Sequence, residues 1–98
     1  MLPEVFELLI QVHSGMHIVT VGLLDGTKIE RVNDSTGSKE TIETIELEKT
    51  DIGFAIFKKT RVSSYYNNGQ VTGSNTFISK IAIPYSNISY MEFSEDEE

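Results

Sequence analysis

Apolar and polar positions alternate with two different periods along this chain. In residues 3–14, Val5, Phe6, Leu9 and Val12 recur three and four apart, the spacing of one helix face. Pro3 suits a first helical turn, where its missing N–H is not needed. Glu4 and Glu7 favour the positive end of a helix dipole, and Gly15 suits the left-handed position after a helix. The competing reading is a strand, since residues 8–10 form a short apolar run. The spacing favours a helix over 3–14.

From residue 17 onward the period shortens. Residues 17–24 and 27–33 are β-branched and apolar, and Asp25-Gly26 stands between them. That arrangement predicts a two-residue hairpin with a type I′ turn. Residues 34–40 read as a polar loop and 41–48 as a third strand. Its Ile42, Ile45 and Leu47 do not alternate cleanly, which predicts a bulge near Glu43-Thr44. A turn at 49–51 leads to a strand that begins at Gly53.

Asn68-Gly69 is a second hairpin signal. With those residues at the turn centre, strand 54–66 folds back on 71–83 and paired positions sum to 137. That register places Phe54, Ile56, Lys58, Phe77, Ile81 and Ile83 on one face, read as core. Phe57, Lys59, Arg61 and Tyr65 take the other, with Ile78 and Lys80 across from them. Pro84 ends the strand, and residues 88–93 form a last short one. The expected fold is mainly β. An N-terminal helix precedes a strongly bent five- to six-stranded antiparallel sheet or small barrel. It occupies residues 1–93 as one domain, with an acidic tail at 94–98.

Composition narrows the chemistry. The chain has 98 residues, no cysteine, no tryptophan and two histidines, His13 and His17. Disulfides, thiolate zinc sites and a cysteine nucleophile are excluded. The histidines are four apart, but Gly15 interrupts any helix that would align them on a metal. No Gly-rich phosphate loop occurs, and no base has a marked partner for a hydrolytic triad. The expectation is a protein that is not an enzyme and carries no cofactor or metal. The first residues lack the lysines of a signal peptide, and no apolar run approaches a membrane span of about 20 residues. A cytoplasmic location, without membrane contact, is the corresponding expectation.

The formal net charge is −7, unevenly spread. Residues 58–91 carry Lys58, Lys59, Arg61 and Lys80 and no acid, whereas residues 92–98 carry five acids and no base. Lys59, Arg61, Tyr65, Tyr66 and Lys80 therefore form a candidate strip for a small anionic ligand such as a nucleotide. Cations would meet phosphate, and tyrosine would stack on a base. The plainer reading is a solvated strand face. Tyr65 and Tyr66 near a hairpin tip also suit contact with a protein partner. Overall acidity disfavours RNA.

Residues 6–34 resemble the helix, first strand, Asp-Gly turn and second strand of the Sm-like small β-barrel family. Residues 83–93 are similar to the closing motif of small bacterial Sm-like proteins, so a bacterial or phage origin is expected. Together these cover about 40 of the 98 residues. The resemblance implies a bent barrel that assembles as a homo-oligomer through strand edges and acts as a non-catalytic binding module. Its alternative implication is an RNA-binding protein of chaperone type, with Asn33, Asp34, Tyr85 and Asn87 lining the loops. Pro84-Tyr85 stands where RNA-binding members carry a basic or polar pair.

Overall fold

The computed structural model describes residues 1–95. Helix α1 spans Pro3–Val12, and seven strands follow it. These are β1 (His17–Leu23), β2 (Lys28–Glu30), β3 (Asn33–Thr36), β4 (Lys39–Asp51), β5 (Phe54–Asn67), β6 (Gln70–Pro84) and β7 (Ile88–Ser94). A single 3-10 turn, η1 (Tyr85–Asn87), joins β6 to β7. The strands form one antiparallel sheet. Five of them lie in the order β2-β1-β4-β5-β6 and curl into a half-barrel, while β3 adds to β4 and β7 to β1. The mainly β fold class expected from the pattern is the one observed.

The expected helix forms but stops at Val12, and Gly15 adopts φ +89° in the turn that follows. Of the four residues read as one face, Phe6 is buried and Leu9 partly so, whereas Val5 and Val12 are exposed because the sheet packs against the Phe6–Ile10 side. Phe6 is its fully buried residue. Its ring meets Phe57 edge-on at 6.2 Å and Tyr85 at 5.1 Å. At the other end the His13 ring stacks on Phe93, with centroids 4.2 Å apart. α1 thus lies along the inside of the curl. The core comprises Phe6, Ile18, Val21, Ile45, Ala55, Phe57, Ile83, Tyr85 and Ile88.

Five sequence expectations need correction. The Asp25-Gly26 reversal is not a type I′ turn, because among its residues only Gly26 has positive φ. Gly26 N–H donates to the Leu23 carbonyl and Leu23 N–H to the Thr27 carbonyl, which closes a three-residue loop. Asp25 favours this form, since its Oδ1 accepts from both the backbone N–H and the hydroxyl of Thr27. That bonding, the hydroxyl first, lowers the Asp25 pKa.

The polar stretch 34–40 is not a loop. Asn33–Thr36 pairs with residues 39–42 in a hairpin turning on Gly37-Ser38. Gly37 at φ +54° supplies the one positive φ that this reversal needs. The polar side chains misled because both faces of this hairpin are largely exposed to water.

The bulge of β4 lies at Glu48, between Leu47 and Lys49, and not near Glu43-Thr44. Alternation in 41–47 is intact once Glu43 is counted as an inward residue. Glu43 is buried, whereas Ile42 faces out. A charge holds the position where periodicity looks for an apolar residue. The strand also runs to Asp51, so the reversal falls at Ile52-Gly53 and not at 49–51.

Asn68 and Gly69 both take positive φ, as a type I′ turn requires. The 137 register holds only for Asn67↔Gln70 and Tyr66↔Val71. A bulge then leaves Thr72 unpaired, and from Tyr65↔Gly73 to Phe54↔Pro84 the positions sum to 138. One residue of slip exchanges the partners across the strands. The face that points to the core is therefore Ala55, Phe57, Ile81 and Ile83. Phe54, Ile56 and Lys58 lie on the outer face.

The molecule is elongated, 50 × 23 × 23 Å, with a radius of gyration of 15.5 Å. A compact chain of this length has about 12.5 Å. The excess length is an arm. The tip-ward halves of β4, β5 and β6, with β3 beside them, run out past the core. A bond from Tyr66 N–H to the Ser38 carbonyl, 2.7 Å, ties the tips of the two hairpins together.

Candidate functional site

The inner face can be read as cross-strand rows from core to tip. Leu47, Phe57 and Ile81 form the last apolar row. Ile45, Lys59 and Ser79 follow, then Glu43, Arg61 and Phe77, then Thr41, Ser63 and Asn75, then Lys39, Tyr65 and Gly73. Lys59, Arg61 and Tyr65 of the expected strip thus share one face, and that face continues the core.

The cations on it are not open charges. Glu43, with its side chain 7 % exposed, accepts from Arg61 Nε at 2.6 Å and pairs with Lys59 Nζ at 3.3 Å. Burial pushes the Glu43 pKa up. The bonds from Arg61 and then Lys59 outweigh it, and the carboxyl ends below its ordinary value of 4.5. A buried carboxylate held by two cations is a structural clamp. It occupies the row where the core gives way to the arm, and it leaves the Arg61 side chain half exposed.

Lys80 does not lie across from Phe57. It pairs with Lys58 on the outer face, where Lys58 meets Glu46 at 3.5 Å and Lys80 meets Glu48 at 2.9 Å. Tyr66 is on the outer face too and donates to Glu40 Oε1 at 3.0 Å, a bond that raises its pKa. Tyr65 faces inward under Lys39 Nζ, 5.7 Å from the ring centroid. The segment without acids is thus supplied with carboxylates by β4. The five strip residues divide between two faces, with Lys59, Arg61 and Tyr65 on one and Tyr66 and Lys80 on the other.

The four loop residues of the RNA reading fall on two separate elements. Asn33 and Asp34 begin β3 on the arm. Tyr85 and Asn87 belong to η1. Tyr85 is 5 % exposed and donates its hydroxyl to the Asp51 carbonyl, while the Asn87 carbonyl accepts from Leu24 N–H. Tyr85 is a core residue.

Sequence reasoning missed one concavity. A cleft of about 370 Å³ opens where β1 and β4 diverge beyond the Ile18↔Ile45 pair. His13, His17, Glu46, Ile10, Leu47 and Phe93 contribute to its wall. His13 Nδ1 donates to the Leu9 carbonyl at 2.7 Å, which fixes the ring. The signal for this cleft was the pair of histidines around Gly15, read only as a broken metal motif. Among the described residues no three ligating side chains converge on a metal position.

Among the described residues two surfaces lack cover. β6 pairs with β5 along one side only, and Val71, Phe77 and Ile78 on it are 61 %, 62 % and 54 % exposed. On α1, Val5, Leu8 and Val12 form a second apolar stripe that the sheet does not reach. Among the described residues no helix is long and apolar enough to cross a membrane. Acidic tail residues 96–98 lie outside the described residues. No protein-family model matches this chain, and no curated protein or solved structure matches it either.

Proposed function

We propose that this chain is a non-catalytic, self-assembling binding module of the Sm-like half-barrel kind, whose partners are protein surfaces. The observation that carries the reading is the side of β6 that has no neighbour among the described residues, beside exposed Phe77 and Ile78. An edge strand presents a row of N–H and C=O groups that another strand can satisfy. A sheet of this size gains buried apolar area most cheaply by association.

A small anionic ligand is the weaker version of the same reading. Lys59, Arg61 and Lys80 each have a carboxylate within 3.3 Å, so an anion would have to compete for them. RNA binding is disfavoured by the same pairing, by the net charge of −7 and by the burial of Tyr85.

Native mass spectrometry together with sedimentation over a range of concentrations tests the proposal. The expected result is a homo-oligomer that carries no nucleotide. A monomer at every concentration overturns it. An oligomer that retains a bound nucleotide overturns the assignment to protein surfaces.

A further inference from the structure

Self-assembly requires one surface that two copies share. We infer that the shared surface is the tip-ward half of β6, paired with itself across a two-fold axis at Asn75. This inference rests on the proposal of self-assembly.

β6 is 15 residues long, and among the described residues no strand lies on its side away from β5. Natural sheets blunt such an edge with charges, prolines or bulges. On β6 the charge and the proline, Lys80 and Pro84, stand at the core end, and the bulge at Thr72 stands at the tip. Between them, residues 73–79 are uncharged and extended. Their edge is prepared for a partner and carries no device against one.

The occupant is a second copy because the segment complements itself. Two antiparallel copies centred on Asn75 bring Phe77 of each opposite Gly73 of the other, twice. Thr76 then meets Ser74, and the ladder ends before the bulge at Thr72. Gly73 needs no left-handed conformation, and a Cβ built on it meets nothing within 4 Å. It therefore leaves room on the inner face that its own chain does not fill. The Phe77 ring is 62 % exposed and has the size to cover that gap. Tyr65, the cross-strand partner of Gly73, stands beside the gap and is 37 % exposed. Seating Phe77 there covers the glycine backbone and adds an aromatic neighbour.

Charge selects the same surface. Two copies with a net charge of −7 each repel, so they meet best where neither is charged. Residues 73–79 are neutral, with half-exposed Arg61 directly across from Phe77. The β7 side of the sheet carries Glu92, with Glu95 just after it, and has no base. A two-fold uses one patch on both copies and closes by itself. Its product is one continuous sheet from β3 of one copy to β3 of the other.

The chain has no cysteine, so a single introduced thiol reports on the axis. Under mild oxidation Asn75→Cys should cross-link into a dimer, whereas Ser63→Cys, one strand inward, should not. Gly73→Lys adds a side chain to open space in the monomer, so at a concentration where both proteins are monomeric its circular dichroism and melting should match the parent. It should weaken dimerisation about tenfold or more, as loss of a central aromatic seat does. Phe77→Glu should act similarly, and the double variant Gly73→Lys/Phe77→Glu should regain most of the loss through two new ion pairs. An oligomer that ignores Gly73→Lys and gives no cross-link at residue 75 overturns the β6 two-fold and leaves self-assembly standing. A monomeric parent protein overturns both.

Discussion

The core half and the arm half of this sheet are built from the same three strands, yet they differ in nearly everything except backbone. In the core half, Ala55 and Phe57 are fully buried, and Ile45 and Ile83 nearly so. In the arm half, every residue of β6 from Gln70 to Ile78 is exposed. The antiparallel ladders run through both without a break at the boundary. Strand pairing is therefore satisfied by backbone geometry alone, while the protection of a strand depends on what its inward rows contain. The inward rows change from Phe57 to Lys59 to Arg61 within five residues, and Glu43 faces that change from β4. The clamp lets an apolar core end without leaving a charge unpaired.

The largest loss of stability comes from the core side. Phe57→Ala should cost about 3–5 kcal/mol, because it removes a ring that packs on Phe6 and leaves a cavity. Thermal or denaturant unfolding measures this, and a loss below about 1 kcal/mol would mean that the two halves are not so different.

Removal of the clamp comes next. Glu43→Ala should cost about 2–3 kcal/mol, less than a fully buried pair because Arg61 is half exposed. The folded pKa of Glu43 is depressed. Its contribution is therefore fully present above the ordinary 4.5 and is lost as pH falls through the folded value. Stability of the parent should decline on acidification more steeply than that of Glu43→Gln. Parallel acid titrations of the two proteins would contradict the clamp.

Gly22→Ala should cost about 1 kcal/mol. Its new Cβ would overlap the Tyr90 ring, but Tyr90 is 44 % exposed and can swing aside. The combined variant with Tyr90→Ala should remove most of that penalty.

The smallest effect on the monomer belongs to the arm. Phe77→Ser should change monomer stability by no more than about 0.5 kcal/mol, since the ring is already in water. Hydrogen exchange offers a graded readout of the same contrast. Amides of β6 near Ile83 should exchange only with global unfolding, and those near Asn75 through local opening. Equal protection along β6 in a monomeric sample would erase the distinction.

Much of this fold was legible from local chemistry. The helix follows from the spacing of Phe6 and its neighbours, and the reversal at Asn68-Gly69 from the demand for two positive φ values. The Asn33–Thr36 strand was not legible, because its polar residues face water on an arm that has no core. The candidate strip was half legible. Lys59, Arg61 and Tyr65 do share a face, but nothing along residues 58–91 announces the carboxylates that β4 brings against them.

By itself the sequence determined what depends on neighbours in the chain: one helix, a succession of tight reversals, and extended ribbons between them. Tertiary structure alone decided the register, the inward face and the partner of each charge. The physical reason is the two-residue period of a strand. A single extra residue, Thr72, moves Phe57 from the face read as surface to the face that is core. A single buried carboxylate, Glu43, keeps in phase an alternation that hydrophobicity alone reads as broken.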